Sequence, residues 1–204
     1  MSATVQADYF DQLYRDHQDP WQVGQRWYER RKQALLLACL PREHYRRAYE
    51  PACGTGQLTV ALAARCDEVL ASDGSAQAVD TARQATAHLA QVKVQLHTLP
   101  GDWPSQTFDL IVLSEWAYYL SEADLAEVVS RCQQSLTQAG TLIACHWRPD
   151  FEQRAQSTAH VHARFHAHFH AIGWQRLIHH EERDFLMEAW SPQNISVAQL
   201  EGLT

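Results

Sequence analysis

The stretch Tyr49-Glu50-Pro51-Ala52-Cys53-Gly54-Thr55-Gly56, opening into the apolar segment Leu58 to Ala64, constrains this chain more than any other. An extended segment there turns at small residues and enters a helix, whose first N–H groups lack partners inside the helix. Gly54 and Gly56 let a ligand reach the main chain with no Cβ in the way. The next extended segment, Val69 to Ser72, ends on Asp73-Gly74. An acid at that position can accept hydrogen bonds from both hydroxyls of a ribose. Loop and acid together describe a nucleoside-cofactor site at the carboxyl edge of an α/β sheet.

The loop also discriminates between cofactors. A dinucleotide fingerprint asks for a third small residue where this chain has Thr59. Glu50, at the end of the first extended segment, would face the charge of a pyrophosphate. It suits a positively charged ligand, such as the sulfonium and ammonium of S-adenosylmethionine. The pattern acid-x-x-x-Gly-x-Gly, with Asp73 at the next strand end, resembles motifs I and II of class I methyltransferases.

Size and charge narrow the class further. With 204 residues and 46% hydrophobic content, the chain is expected to form a single domain with a full core. A net charge of -7 disfavours an electrostatic grip on nucleic acid or anionic lipid. The five cysteines, at 39, 53, 66, 132 and 145, show no C-x-x-C spacing and read as reduced thiols, most of them buried. No basic segment followed by an apolar one marks a signal peptide near Met1, and the longest apolar run, Ala34 to Leu40, is too short for a bilayer. The expectation is a soluble cytoplasmic protein with a small-molecule acceptor, no nucleic acid and no membrane. Oligomeric state stays open.

Periodicity supplies the elements. Apolar positions Val5, Tyr9, Phe10, Leu13 and Tyr14 recur at helical spacing, and a second helix runs from Trp27 towards Pro41. Residues 1–45 are expected to form a helical cap over the cofactor site. In it, Arg30 and Lys32 read as solvated cations, whereas Tyr28 and Arg31 read as facing the methionine end. Strands are expected near 46–51, 67–72, 92–97, 108–114, 140–146, 174–179 and 184–190, with helices near 56–65, 75–89, 121–136 and 153–171. The last two strands are close enough for a hairpin. The predicted fold is α/β, a doubly wound seven-stranded, mostly parallel sheet with an antiparallel edge strand (Rossmann-like). Its core spans 46–190, and 191–204 reads as a polar tail.

Ligands in such sheets sit beyond the carboxyl ends of the strands. Thr98-Leu99 after the third strand, Ser114-Glu115-Trp116 with Tyr118-Tyr119 after the fourth, and His146-Trp147-Arg148 after the fifth are therefore the informative positions. A carboxylate directly after a buried strand, as at Glu115, is costly unless paired or liganded. Seven of the 12 histidines lie between His160 and His180. His162, His166 and His170 share a helical face, but no cysteine, H-E-x-x-H or carboxylate completes a metal set there, so no metal is expected. His162, at the helix start, reads as a substrate contact.

With Pro20-Trp21, Trp27-Tyr28-Glu29-Arg30-Arg31-Lys32, Glu50 to Gly56, Phe108 to Glu115, Tyr118-Tyr119-Leu120 and His146-Trp147-Arg148 in view, the chain resembles the NodS-like methyltransferases from about Tyr9 to Trp190. The resemblance implies S-adenosylmethionine as cofactor and S-adenosylhomocysteine as product. It implies a cofactor site of Trp21, Tyr28, Arg31, Glu50, Ala52, Gly54, Gly56, Asp73, Gly74, Thr98, Leu99, Ser114 and Glu115. The family's namesake methylates the free amine of a deacetylated glucosamine, which implies N-methylation of a small amine such as an amino sugar. Glu115, Tyr118, Tyr119 and His146 are then expected to serve catalysis, and Trp116, Tyr119, His146, Arg148 and His162 to bind substrate. Ala52 replaces the first glycine of the family's loop, Thr98 stands where an acidic adenine contact is usual, and Ala139-Gly140 replaces a Gly-Gly turn. The rival readings are an O-methyltransferase of a small hydroxylated metabolite and a non-catalytic cofactor-binding module.

Overall fold

The computed structural model describes residues 3–204. Seven strands, β1 (Tyr45–Pro51), β2 (Cys66–Asp73), β3 (Val92–Leu96), β4 (Phe108–Ser114), β5 (Leu136–Trp147), β6 (Gln175–Glu181) and β7 (Phe185–Ser191), form one sheet in the order β3-β2-β1-β4-β5-β7-β6. β1 to β5 pair in parallel, and β7 runs antiparallel to both β5 and β6. The strand order reverses between β1 and β4, so the carboxyl ends of those two strands flank the crevice where such sheets bind ligands. Side-chain alternation explains the central strands. In β4, Leu110 and Val112 pack with Leu58 and Leu62 on one face, while Ile111 and Leu113 pack with Val128, Val161 and Phe165 on the other. All four β4 residues are fully buried, which is why the strand reads as one apolar run.

Helices α3 (Gln57–Ala63), α4 (Ala76–Thr86), α5 (Glu122–Ser135) and α6 (Thr158–Ala171) cross over the faces, and α1 (Ala7–Asp16) and α2 (Trp27–Ala38) precede the sheet. Ser75, Ser121 and Ser157 each accept an N–H of the first turn of their helix, from Ala78, Asp124 and His160. The Ser157 cap starts α6 at Thr158 rather than near 153, leaving a loop over the sheet edge. β5 likewise begins earlier than periodicity suggests, directly at Leu136. The stretch expected to turn at Ala139-Gly140 instead passes through the strand with a register shift against β4. Gly140 is required there because a Cβ would sit 2.6 Å from Leu136 Cγ. The segment read as a polar tail contains a short helix, α7 (Val197–Leu200), closed by a reciprocal Ser196/Gln199 capping box. Among the described residues no helix is long and apolar enough to cross a membrane.

Candidate active site

At the end of β1 the chain makes its tightest turn. Ala52, Gly54 and Gly56 all take positive φ, at 54°, 53° and 80°. For Ala52 this is a left-handed conformation that costs roughly 1–2 kcal/mol in an L-residue, so the surrounding contacts hold it in place. Gly54 is glycine for space as well, since a Cβ would lie 2.9 Å from the Tyr14 hydroxyl. Asp73, at the end of β2, ties the turn together: Oδ2 accepts the Gly54 N–H at 2.8 Å and Oδ1 accepts the Ser75 N–H at 2.9 Å. Burial raises the Asp73 pKa, and the amides of Ser75 and Gly54 restrain that rise. Each oxygen keeps a lone pair free. Glu50 is buried too, with Thr59 Oγ1 donating to it at 2.6 Å. Burial pushes its carboxyl up to about 8, with the Asp73 charge adding to the rise. A buried, largely protonated acid with so little support gains from any cation placed beside it.

Beyond β4 the geometry changes character. Glu115 stands at φ 61°, a second strained position, and its carboxylate takes three donors. Lys32 Nζ donates to Oε1 at 2.6 Å, while the Tyr118 hydroxyl and the Trp147 N–H each donate to Oε2 at 2.8 Å. Lys32 also pairs with Glu29 at 2.9 Å and lies over the Tyr28 ring at 4.9 Å. It is 5% exposed rather than solvated as its sequence context suggested. Burial favours its neutral form, but the two carboxylates outweigh that and hold its pKa above the ordinary lysine value. Burial and the Glu115 charge raise the Tyr118 hydroxyl pKa well above the usual value. The turn Ala117–Tyr119 that presents these tyrosines is covered by the N-terminal segment, where the Val5 N–H donates to the Tyr119 carbonyl at 2.9 Å.

Both ends open into one cavity of about 920 Å³, within the usual range of ligand sites. Trp21, Tyr28, Glu50, Ala52, Gly54, Asp73, Gly74, Thr98, Leu99, Ser114, Glu115, Trp116, Tyr118 and Tyr119 all border it. Five expected site residues do not. Gly56 packs against α4, where a Cβ would come within 3.0 Å of Ala82 Cβ. Arg31 leaves the row Tyr28–Lys32–Leu36 that faces inward and instead makes a bidentate pair with Glu182, both contacts at 2.8 Å. Arg148 turns to the same hairpin, bonding Glu181 at 2.7 Å and the Glu182 carbonyl. His146 and His162 are buried against each other at 3.1 Å, away from the cavity. The sequence reading missed Tyr14, Glu29, Lys32 and His97, all of which border the cavity. For Lys32 a signal existed: it stands one helical turn from both Tyr28 and Leu36. Among the described residues no group of three or more His, Cys, Asp or Glu is placed to hold a metal.

Such a turn, followed by an acid at the next strand end and a cavity at the switch point, describes a nucleoside-cofactor site. Comparison with known proteins specifies it. Residues 48–140 match the family model described as a methyltransferase domain. A solved structure from Pseudomonas syringae, described as a methyltransferase, is 44% identical, with 81% of this chain and 99% of that one covered at a TM-score of 0.72. The chain belongs to the S-adenosylmethionine-dependent class I methyltransferases. Within that class it is similar to NodS in fold and, more distantly, in sequence. The N-methyltransferase NodS from Bradyrhizobium japonicum WM9, solved with S-adenosylhomocysteine, has the same fold at a TM-score of 0.77, with 20% identity over 89% of this chain and 97% of that one. Nodulation protein S of Rhizobium tropici is 29% identical over 130 residues, 61% of this chain and 53% of the relative. The chain thus spans about half the length of that curated relative.

Proposed function

We propose that this methyltransferase N-methylates a small amine, with an amino sugar or glucosamine oligomer as the acceptor class. The observation that supports the reading most is charge. Apart from Glu50 and Asp73, the cavity is bordered by Asp19, Glu29, Glu115, Asp124 and Asp184 against only Arg26 and Lys32. Surplus negative charge around the cavity favours a cationic acceptor and disfavours a phosphorylated or carboxylated one. Trp116, Tyr118, Tyr119 and Phe151 add flat apolar faces beside those acids, suited to the C–H face of a pyranose. The name of the NodS structure points the same way.

The residues fit the cofactor. When bound, S-adenosylmethionine supplies an electrophilic methyl group and a neutral sulfur leaving group. Asp73 has a free lone pair on each oxygen for the ribose hydroxyls, and Glu50 is the carboxyl that a positive charge would ionise. The acceptor amine, drawn as an ammonium by the acidic lining, would lose one proton to water to expose its lone pair. Glu115 keeps one acceptor position on Oε1 and can orient the remaining N–H. Lys32, Tyr118 and the Trp147 N–H fix that carboxylate before the acceptor arrives, so little reorganisation remains at the moment of displacement. The nitrogen lone pair would form the new N–C bond as the methyl's C–S bond breaks, its electron pair going to sulfur, and the surplus proton would leave to water. Mass-spectrometric assay of glucosamine oligomers, their N-acetylated forms and simple phenols tests the reading. Methylated amino sugars are expected; methylated phenols with unmodified amino sugars would overturn it.

A further inference from the structure

Away from the cavity, three ionisable side chains lie buried in a line that the transfer itself does not use. His146 near the end of β5, His162 in the second turn of α6 and Glu188 in β7 are 0%, 2% and 2% exposed. His146 Nε2 faces the Ala117 N–H at 3.3 Å, and its Nδ1 faces His162 Nε2 at 3.1 Å. His162 Nδ1 lies 2.8 Å from Glu188 Oε2. One end of this line has a fixed proton, because a backbone amide can only donate. His146 Nε2 must therefore carry the lone pair, its proton sits on Nδ1, and it donates to His162 Nε2. His162 then holds its own proton on Nδ1 and donates to the carboxylate. Any other arrangement sets two N–H groups, or two lone pairs, against each other.

The surroundings reinforce this single polarity. On the sheet side, Arg176 Nη1 and His179 Nδ1 contact Glu188 Oε1 at 2.8 and 2.9 Å. Burial raises the Glu188 pKa, but the hydrogen bonds from His162, His179 and Arg176 more than reverse this, to about 2. Burial first, and the Lys32 charge from α2 after it, hold the His146 pKa well below the ordinary value. The Tyr118 ring stands edge-on to His146 at 5.4 Å, and Trp190 lies beside His162 at 6.3 Å. Ala117 begins the very turn that carries Tyr118 to Glu115.

We propose that His146, His162 and Glu188 form a positioning chain for the acceptor end. The carboxylate fixes the tautomer of both rings, and His146 then holds the Ala117 N–H and with it the turn that presents Tyr118 to Glu115. The proposal rests on the reading of Glu115 as the acceptor-side group only for its kinetic consequence. The tautomer itself is measurable with neither acceptor nor cofactor present. Nitrogen-15 NMR of histidine-labelled wild-type protein is expected to show His146 protonated on Nδ1 and bare on Nε2 through about pH 6 to 8, where a free histidine would titrate. His162→Leu and Glu188→Gln are expected to lower turnover by about tenfold to a hundredfold through misplacement of the turn. S-adenosylhomocysteine affinity should stay within about threefold, because the cofactor loop is held separately by Asp73. His162→Gln should recover most of the turnover, since one amide can accept from His146 and donate to Glu188. A wild-type His146 protonated on Nε2 would overturn the proposal even if amines are methylated. So would wild-type turnover in a folded His162→Leu, or turnover and cofactor affinity falling together. Should His162→Leu not fold, the wild-type spectrum and the Glu188→Gln and His162→Gln pair still decide.

Discussion

The two ends of the cavity are built by different means. At the cofactor end, Glu50, Gly54, Thr59, Asp73 and Ser75 lie within two consecutive strand–helix units, and backbone N–H groups make the decisive contacts. At the acceptor end, side chains from distant elements meet: Lys32 and Glu115 are 83 positions apart, and Trp147 is 32 beyond Glu115. Main-chain cradles are set by topology and tolerate sequence change around them. Ion-pair clusters depend on every member, because removing one leaves a buried charge unmatched. The cofactor end should therefore lose binding when altered, and the acceptor end should lose stability and turnover.

Lys32→Met gives the largest expected effect. It strands Glu115 and Glu29 beside an apolar side chain, and breaking a buried pair this way costs about 3–5 kcal/mol, somewhat less here because Glu115 keeps Tyr118 and the Trp147 N–H. Denaturant unfolding should show the loss, while calorimetry on the folded fraction should find S-adenosylhomocysteine affinity within a few-fold of wild type. An equal loss of cofactor affinity would break the division between the two ends. Asp73→Ala is the opposite case. Two ribose hydrogen bonds to a charged acceptor are worth on the order of 2–4 kcal/mol of cofactor affinity. Unchanged binding by calorimetry would remove Asp73 from the cofactor site.

This division also explains what could be read without coordinates. Strand-length apolar runs, the Gly54/Gly56 turn and the acid at 73 are local signals, so the sheet and the loop were legible. Lys32 is only partly legible: its spacing from Tyr28 and Leu36 marks the inward row, but a charged residue on a helix is ordinarily solvated, and nothing near it in sequence announces a carboxylate from β4. Arg31 and Arg148 lie off the cavity for the same reason: their partners, Glu182 in the β6–β7 turn and Glu181 at the end of β6, are remote in sequence. The place of His146 after the fifth strand suggests a catalytic and substrate-binding role, and that of His162 at the helix start suggests a substrate contact. Only packing of β7 between β5 and β6 brings Glu188 to them and closes them into the core. The positive φ of Ala52 and Glu115 is likewise invisible in residues that rarely adopt it.

The smallest expected effect sharpens the comparison at Glu50, where the cofactor end does depend on a buried charge. In the free protein its pKa is pushed from 4.5 up to about 8. Between those values the folded protein holds a proton that the unfolded chain has released, so this group's contribution to stability declines as pH rises through that window. A cofactor carrying positive charge favours the ionised form, so binding should expel the proton. Affinity should then rise with pH by up to tenfold per unit, about 1.4 kcal/mol, and level off above about 8. Calorimetry at neutral pH in buffers of different ionisation enthalpy should register the released proton directly. Asp73 has a raised pKa as well, and Glu50→Gln separates the two: it keeps a neutral side chain of the same shape beside Thr59 while removing the titration. Its affinity should be nearly independent of pH over the range where wild type climbs. An equal slope in both proteins would assign the linkage to Asp73, and a flat wild-type profile would mean that Glu50 never meets the cofactor's charge.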